Sequence, residues 1–135
     1  MRFYKLNGSV TSKDVTKYLI EWSAKSRSKY QSSVKFALQP YWKTQVVYEE
    51  FPVVGTKMTL DLVNLTKRIA LEVQGEQHQT YNPFFHGKSK VKFWHQLDRD
   101  IKKREWCELN DLRIVEVFPD DLPLTKKRMQ ELKLI

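Results

Sequence analysis

The sequence predicts one domain of the α/β (α+β) class spanning residues 1–135. Three observations point there. The segments "TQVVYEEFPV", "MTLDLVN" and "RIALEVQ" follow one another with the apolar alternation of strands. "VKFWHQLDRDIKKREWCEL" carries apolar residues at helical spacing. A further strand pattern, "LRIVEVF", and a short basic helix over Leu124 to Leu134 then follow, with no repeat, low-complexity stretch or linker.

Taken in order, "RFYKL" is a short strand ended by Asn7-Gly8. Thr11 caps a first helix, with Asp14 three residues on and Val15, Tyr18, Leu19 and Trp22 at helical spacing. "SAKSRSKYQ" breaks that pattern. A second helix runs from about Ser28 to Gln39 and stops before Pro40. Gly55 marks the turn after the first strand of the trio. "GEQHQTYNPFFHGKSK" is a long loop rich in turn residues. In the long helix that follows, Phe93, Leu97, Ile101 and Trp106 are the expected inward positions, and Asn110 ends it in the left-handed conformation.

Composition narrows the function. Hydrophobic content of 41% and aromatic content of 13% suit a folded globule. No apolar run reaches membrane-span length, and "MRFYKLNGSV" lacks the apolar block of a signal peptide, so a cytoplasmic protein without membrane contact is expected. The one cysteine, Cys107, excludes an internal disulfide and a cysteine-rich zinc site, and is expected to be buried. There are 24 Lys+Arg against 16 Asp+Glu, a net charge of +8, which points to a polyanionic partner and to nucleic acid before membrane.

The chemistry lies in the hairpin "MTLDLVNLTKRIALEVQGEQH". Met58, Leu60 and Leu62 share one strand face, and Thr59, Asp61 and Val63 the other. Ile69, Leu71 and Val73 share a face, and Ala70, Glu72 and Gln74 the other. A turn over Leu65 to Arg68 pairs Asn64 with Ile69, Leu60 with Val73, and Asp61 with Glu72. The apolar faces then match. Like charges directly opposite each other are unfavourable. A shared proton or a bound divalent cation relieves them, and the alternative is a face pointing into water. Gln74 lies on the same face, where it can hold a water or a ligand oxygen.

The spacing Asp61, then Glu72-Val73-Gln74, resembles the PD-(D/E)xK nuclease signature. "IALEVQGEQH" is similar to the strand end of the very-short-patch repair endonuclease group, and "LDRDIKKREWCELNDLRIVEVF" to its following helix and strand. The resemblance covers roughly Ser28 to Pro119. It implies a restriction-endonuclease-like core: a central mixed β-sheet flanked by helices. It also implies Mg²⁺-dependent (or Mn²⁺-dependent) hydrolysis of DNA phosphodiesters, with Asp61 and Glu72 as metal ligands. Two positions depart from the pattern. Gln31 stands where the family often has a helical glutamate, and Gln74 where it usually has lysine or aspartate. His78 and Lys103 are candidates to replace that lysine, and Glu49 or Glu50 to join the metal shell.

Beyond the hairpin, His78 at the end of the acidic strand suits a general base or a phosphate contact. Gln96, Asp100 and Lys103 are spaced to share a helix face. Lys88, Lys90 and Lys92 interleave with aromatics, and Lys25, Arg27 and Lys29 sit in "KSRSK". Both sets are candidates for phosphate contacts, although Phe84 and Phe85 would equally serve a core. The expected function is a metal-dependent DNA endonuclease, structure-selective or acting as a homodimer on a short sequence, in a phage or mobile-element setting. The alternatives are a non-catalytic nucleic-acid-binding module with the same fold, and a nuclease directed at RNA.

Overall fold

The computed structural model describes residues 1–75 and 88–135, and of residues 88 and 89 the backbone alone. Two short strands, β1 (Arg2–Tyr4) and β2 (Val10–Ser12), form an antiparallel hairpin. After them come α1 (Lys29–Trp42), β3 (Val47–Pro52), β4 (Thr59–Asn64), β5 (Ile69–Val73), α2 (Lys88–Leu109), β6 (Arg113–Val117) and α3 (Lys126–Glu131). The four later strands make one mixed sheet in the order β3-β4-β5-β6. Its first three strands are antiparallel, and β6 is parallel to β5. The β5–α2–β6 crossover gives the parallel pair the length of connection it needs.

Helices cover both faces. Trp106 and Cys107 of α2 pack with Val63 and Ala70 of the sheet and with Phe3 and Phe51. Val34, Leu38 and Trp42 of α1 and Met129 of α3 pack with Leu62, Leu71, Val115 and Val117 on the other face. The mixed α/β architecture, the hairpin register Asn64–Ile69 and the buried Cys107 are as the sequence predicts. No helix of the described residues is long and apolar enough to cross a membrane.

Several expectations fail, each for a local reason. The helix expected after Thr11 is absent. Gly8 (φ 86) closes a turn that lets β2 pair with β1 instead. Asp14 Oδ1 accepts from both the Thr16 backbone N–H (3.0 Å) and Thr16 Oγ1 (2.7 Å), so its side chain competes with helical bonding and leaves only a 3₁₀ turn over Thr16–Tyr18. Conversely, α1 continues through Pro40 to Trp42. The lost bond falls near the helix end beside the exposed Phe36, and fully buried Trp42 anchors the last turn by donating Nε1–H to the Leu134 carbonyl at 2.9 Å. The C-terminal helix is shorter than expected, starting where Thr125 caps the Arg128 N–H.

In α2, Phe93 is half-buried and Trp106 buried as expected, but Leu97 and Ile101 are exposed. Among the described residues, the helix joins the core through Trp106 and Cys107 in its last turns. Before them its inward side overhangs a polar cleft, which selects Gln96, Asp100 and Lys103 for that side. The left-handed residue after α2 is Asp111 (φ 57), not Asn110. Asn110 instead clamps β1: Oδ1 accepts from Tyr4 N–H at 2.9 Å and Nδ2 donates to the Tyr4 carbonyl at 3.0 Å. Within β4, Leu60 joins the α2-side core and Leu62 the α1-side core, so the two do not share a face. The cause is a break in the sheet at the residue between them.

Candidate active site

Asp61 sits where both neighbouring ladders fail. Beside β3, the pairs run Val47–Asn64, Tyr48–Val63 and Glu49–Leu62, omit Glu50–Asp61, and resume at Phe51–Leu60. Glu50 has φ 50, in the left-handed region. Beside β5, the ladder stops at Leu62–Leu71, and neither the expected Asp61–Glu72 pair nor the expected Leu60–Val73 pair forms, because β4 turns away at Asp61. The Asp61 side chain takes over, Oδ2 accepting from the Val73 N–H at 2.7 Å. This bond fixes the carboxylate's orientation. Meanwhile β6 holds β5 from the far side as far as Val73–Val117, and Gln74 N–H donates to the Val117 carbonyl at 2.8 Å. The end of β5 therefore stays paired to β6 while β4 parts from it.

In this opening Glu72 and Asp61 are near enough for each to perturb the other's ionisation. Glu72 is 7% exposed, and Lys103 reaches it from α2, Nζ to Oε1 at 2.5 Å. Burial, then the charge of Asp61, pushes the Glu72 carboxyl up to about 8, against the pull of the Lys103 ammonium. Burial likewise raises Asp61, opposed by the Val73 N–H and Glu72 and reinforced by the charge of Glu50.

A second polar network lies behind Asp61. Ser28 caps α1 by accepting from the Gln31 N–H. Gln31, itself buried, donates Nε2–H to Glu49 Oε2 at 2.9 Å and to Glu50 Oε1 at 3.0 Å. Lys35, also buried, donates to Glu49 Oε1 and to the Ala24 carbonyl, both at 2.9 Å. Such charges are tolerated inside a protein only when paired in this way.

The result is a cleft of about 530 Å³. Asp61 and Glu72 form its floor. The start of α1, with Arg27 and Gln31, makes one wall, and α2, with Arg99, Asp100 and Lys103, makes the other. Gln74 also lines it, so Asp61, Glu72, Gln74 and Lys103 lie in one cleft, and Arg27, expected only as part of a separate basic segment, lines it too. Lys25 and Lys29 are exposed but do not line the cleft, and Lys29 Nζ instead sits 5.2 Å from the Tyr30 ring centre. Lys90 and Lys92 are exposed in the first two turns of α2. His78, Phe84 and Phe85 and the Lys88 side chain lie outside the described residues. The sequence reading overlooked Arg99, although it stands four residues before Lys103 and so shares its helix face. Among the described residues, no group of three or more His, Cys, Asp or Glu side chains is placed to hold a metal ion.

No protein-family model and no solved structure matches the chain. Two viral proteins are similar to it. Uncharacterized protein 033L of Invertebrate iridescent virus 3 is 32% identical over 78 residues, which is 58% of this chain and 40% of that protein. Uncharacterized protein 094L of Frog virus 3 (isolate Goorha) is 32% identical over 66 residues, 49% of this chain and 43% of that protein. The match covers less than half the length of either relative.

Proposed function

We propose that this chain is a divalent-metal-dependent DNA endonuclease domain with a restriction-endonuclease-like core of the PD-(D/E)xK type. One observation carries the reading: Lys103 crosses from α2 to bond Glu72 beside Asp61, supplying the cation that Gln74 cannot. A lysine there can stabilise charge developing on a phosphate above the acid pair.

The donor set fits Mg²⁺ or Mn²⁺. Mg²⁺ typically takes one or two protein carboxylates and keeps several waters, and a buried acid pair whose carboxyls are raised by burial is short of positive charge. Asp61 and Glu72 would hold the ion, which when bound would activate a water and neutralise phosphate charge. Gln74 orients a water or a phosphate oxygen by hydrogen bonding, without moving a proton. Arg27 and Arg99, on opposite walls, supply phosphate contacts on either side of the acids.

The test is a cleavage panel of duplex, single-stranded, flapped and four-way-junction DNA with Mg²⁺, run on the parent and on Asp61→Ala. Cleavage by the parent alone is expected. Absence of cleavage on every substrate, or equal cleavage by both, refutes hydrolysis. A second reading, a non-catalytic nucleic-acid-binding module, is favoured by Gln31, which spends its amide on Glu49 and Glu50 where the family often has a carboxylate. It predicts DNA binding without cutting.

A further inference from the structure

Within the four-stranded sheet, among the described residues, Glu50 is the one residue in left-handed backbone. Glycine adopts that conformation freely and glutamate does not. The position carries a charged side chain nonetheless, and the geometry shows what the twist achieves. In a regular strand, residues 49 and 50 point to opposite faces. Here both carboxylates reach the same Gln31 amide nitrogen. The twist swings the Glu50 carboxylate to the start of α1, where Oε1 accepts from Gln31 Nε2, and Oε2 accepts from Arg27 Nη1 at 3.1 Å and from Thr59 Oγ1 at 3.3 Å.

Fold stability does not explain the Arg27 contact. The Arg27 side chain is 68% exposed and that of Glu50 34%, and exposed ion pairs contribute little. The buried Lys35–Glu49 pair already ties the preceding segment down through the Ala24 carbonyl, and Ser26 Oγ donates to Glu49 as well. What the Glu50 pair adds is a direction for a guanidinium that lines the cleft. Glu50 engages one of its five N–H donors, so its remaining donors suit a phosphate.

We infer that Glu50 is a positioning residue that aims Arg27 across the mouth of the cleft at a phosphate group of the nucleic-acid strand lying over Asp61 and Glu72. The inference rests on the nucleic-acid reading above. Its test is duplex-DNA binding by fluorescence anisotropy, without divalent ions, for the parent, Glu50→Gln, Arg27→Ala and the double variant. Charge alone predicts that removing an acid tightens the grip on a polyanion. Positioning predicts the opposite: Glu50→Gln weakens binding about 3- to 10-fold, and Arg27→Ala then costs less in the Glu50→Gln background than in the parent. Glu50→Gly, which relaxes the backbone, should show the same weakening. Unchanged or tighter binding by either Glu50 variant, or additive losses in the cycle, overturns the inference. A parent that binds DNA but does not cut refutes hydrolysis alone. A parent that binds no DNA removes both readings.

Discussion

A buried carboxyl that holds its proton to high pH should make the metal-free protein lose stability as pH rises, against the common trend for acids. Glu72 moves from an ordinary 4.5 to about 8. Between those values the folded chain binds more protons at this site than the unfolded chain does. The contribution is therefore fully present below about pH 4.5 and lost as pH climbs through about 8. Linkage over that window is worth about 1.4 kcal/mol per pH unit, or about 5 kcal/mol in all, with about 3 kcal/mol gone by pH 7. Relaxation of the cleft and entry of water lower the penalty, so about 2–3 kcal/mol is the expected effect. Glu72→Gln removes the titration yet keeps a carbonyl oxygen for Lys103. The assay is urea unfolding in EDTA from pH 5 to pH 8.5, on the parent and on Glu72→Gln. The parent should lose about 2–3 kcal/mol relative to the variant across the range. Parallel curves would refute the claim that this site disfavours an ionised Glu72.

Calorimetry with Mn²⁺ should show binding to the parent and none to Glu72→Ala, with affinity rising from pH 6 to pH 8 as the ion displaces the proton; equal binding by both removes the metal site. DNA affinity should fall steeply with salt. Replacing Lys88, Lys90 and Lys92 together should weaken all sequences alike and reduce the salt slope by up to about 3, whereas a flat dependence excludes a phosphate-dominated interface. Gln74→Lys should keep or raise cleavage, and Gln74→Ala should lower it roughly 10-fold, while Lys103→Met should cost at least about 100-fold because it removes the cation beside the acids. Full activity in Gln74→Ala, with Mn²⁺ binding intact, would make Gln74 a strand residue only.

The sequence alone determined what depends on short-range periodicity. Alternation with period two, together with a four-residue turn, set the Asn64–Ile69 register and so put Asp61 beside Glu72, because a one-residue slip would turn Leu62 and Leu71 out of the core. Helical spacing likewise placed Gln96, Asp100 and Lys103 on one side of α2. Tertiary structure decided the rest. Thr11 and Val15 read as a helix start, yet pairing with β1 and the Asp14 side chain drew that stretch into a hairpin and a turn, since a weak local preference yields to long-range partners. Leu97 and Ile101 had the spacing of a core face, but α2 lies over a cleft at that height and its polar side turns inward. The contact of Lys103 with Glu72 spans 31 residues of chain, and the left-handed turn at Glu50 serves partners on another element. Neither leaves a periodic trace, because each is fixed by how helices dock on a sheet rather than by the pattern along any one strand or helix.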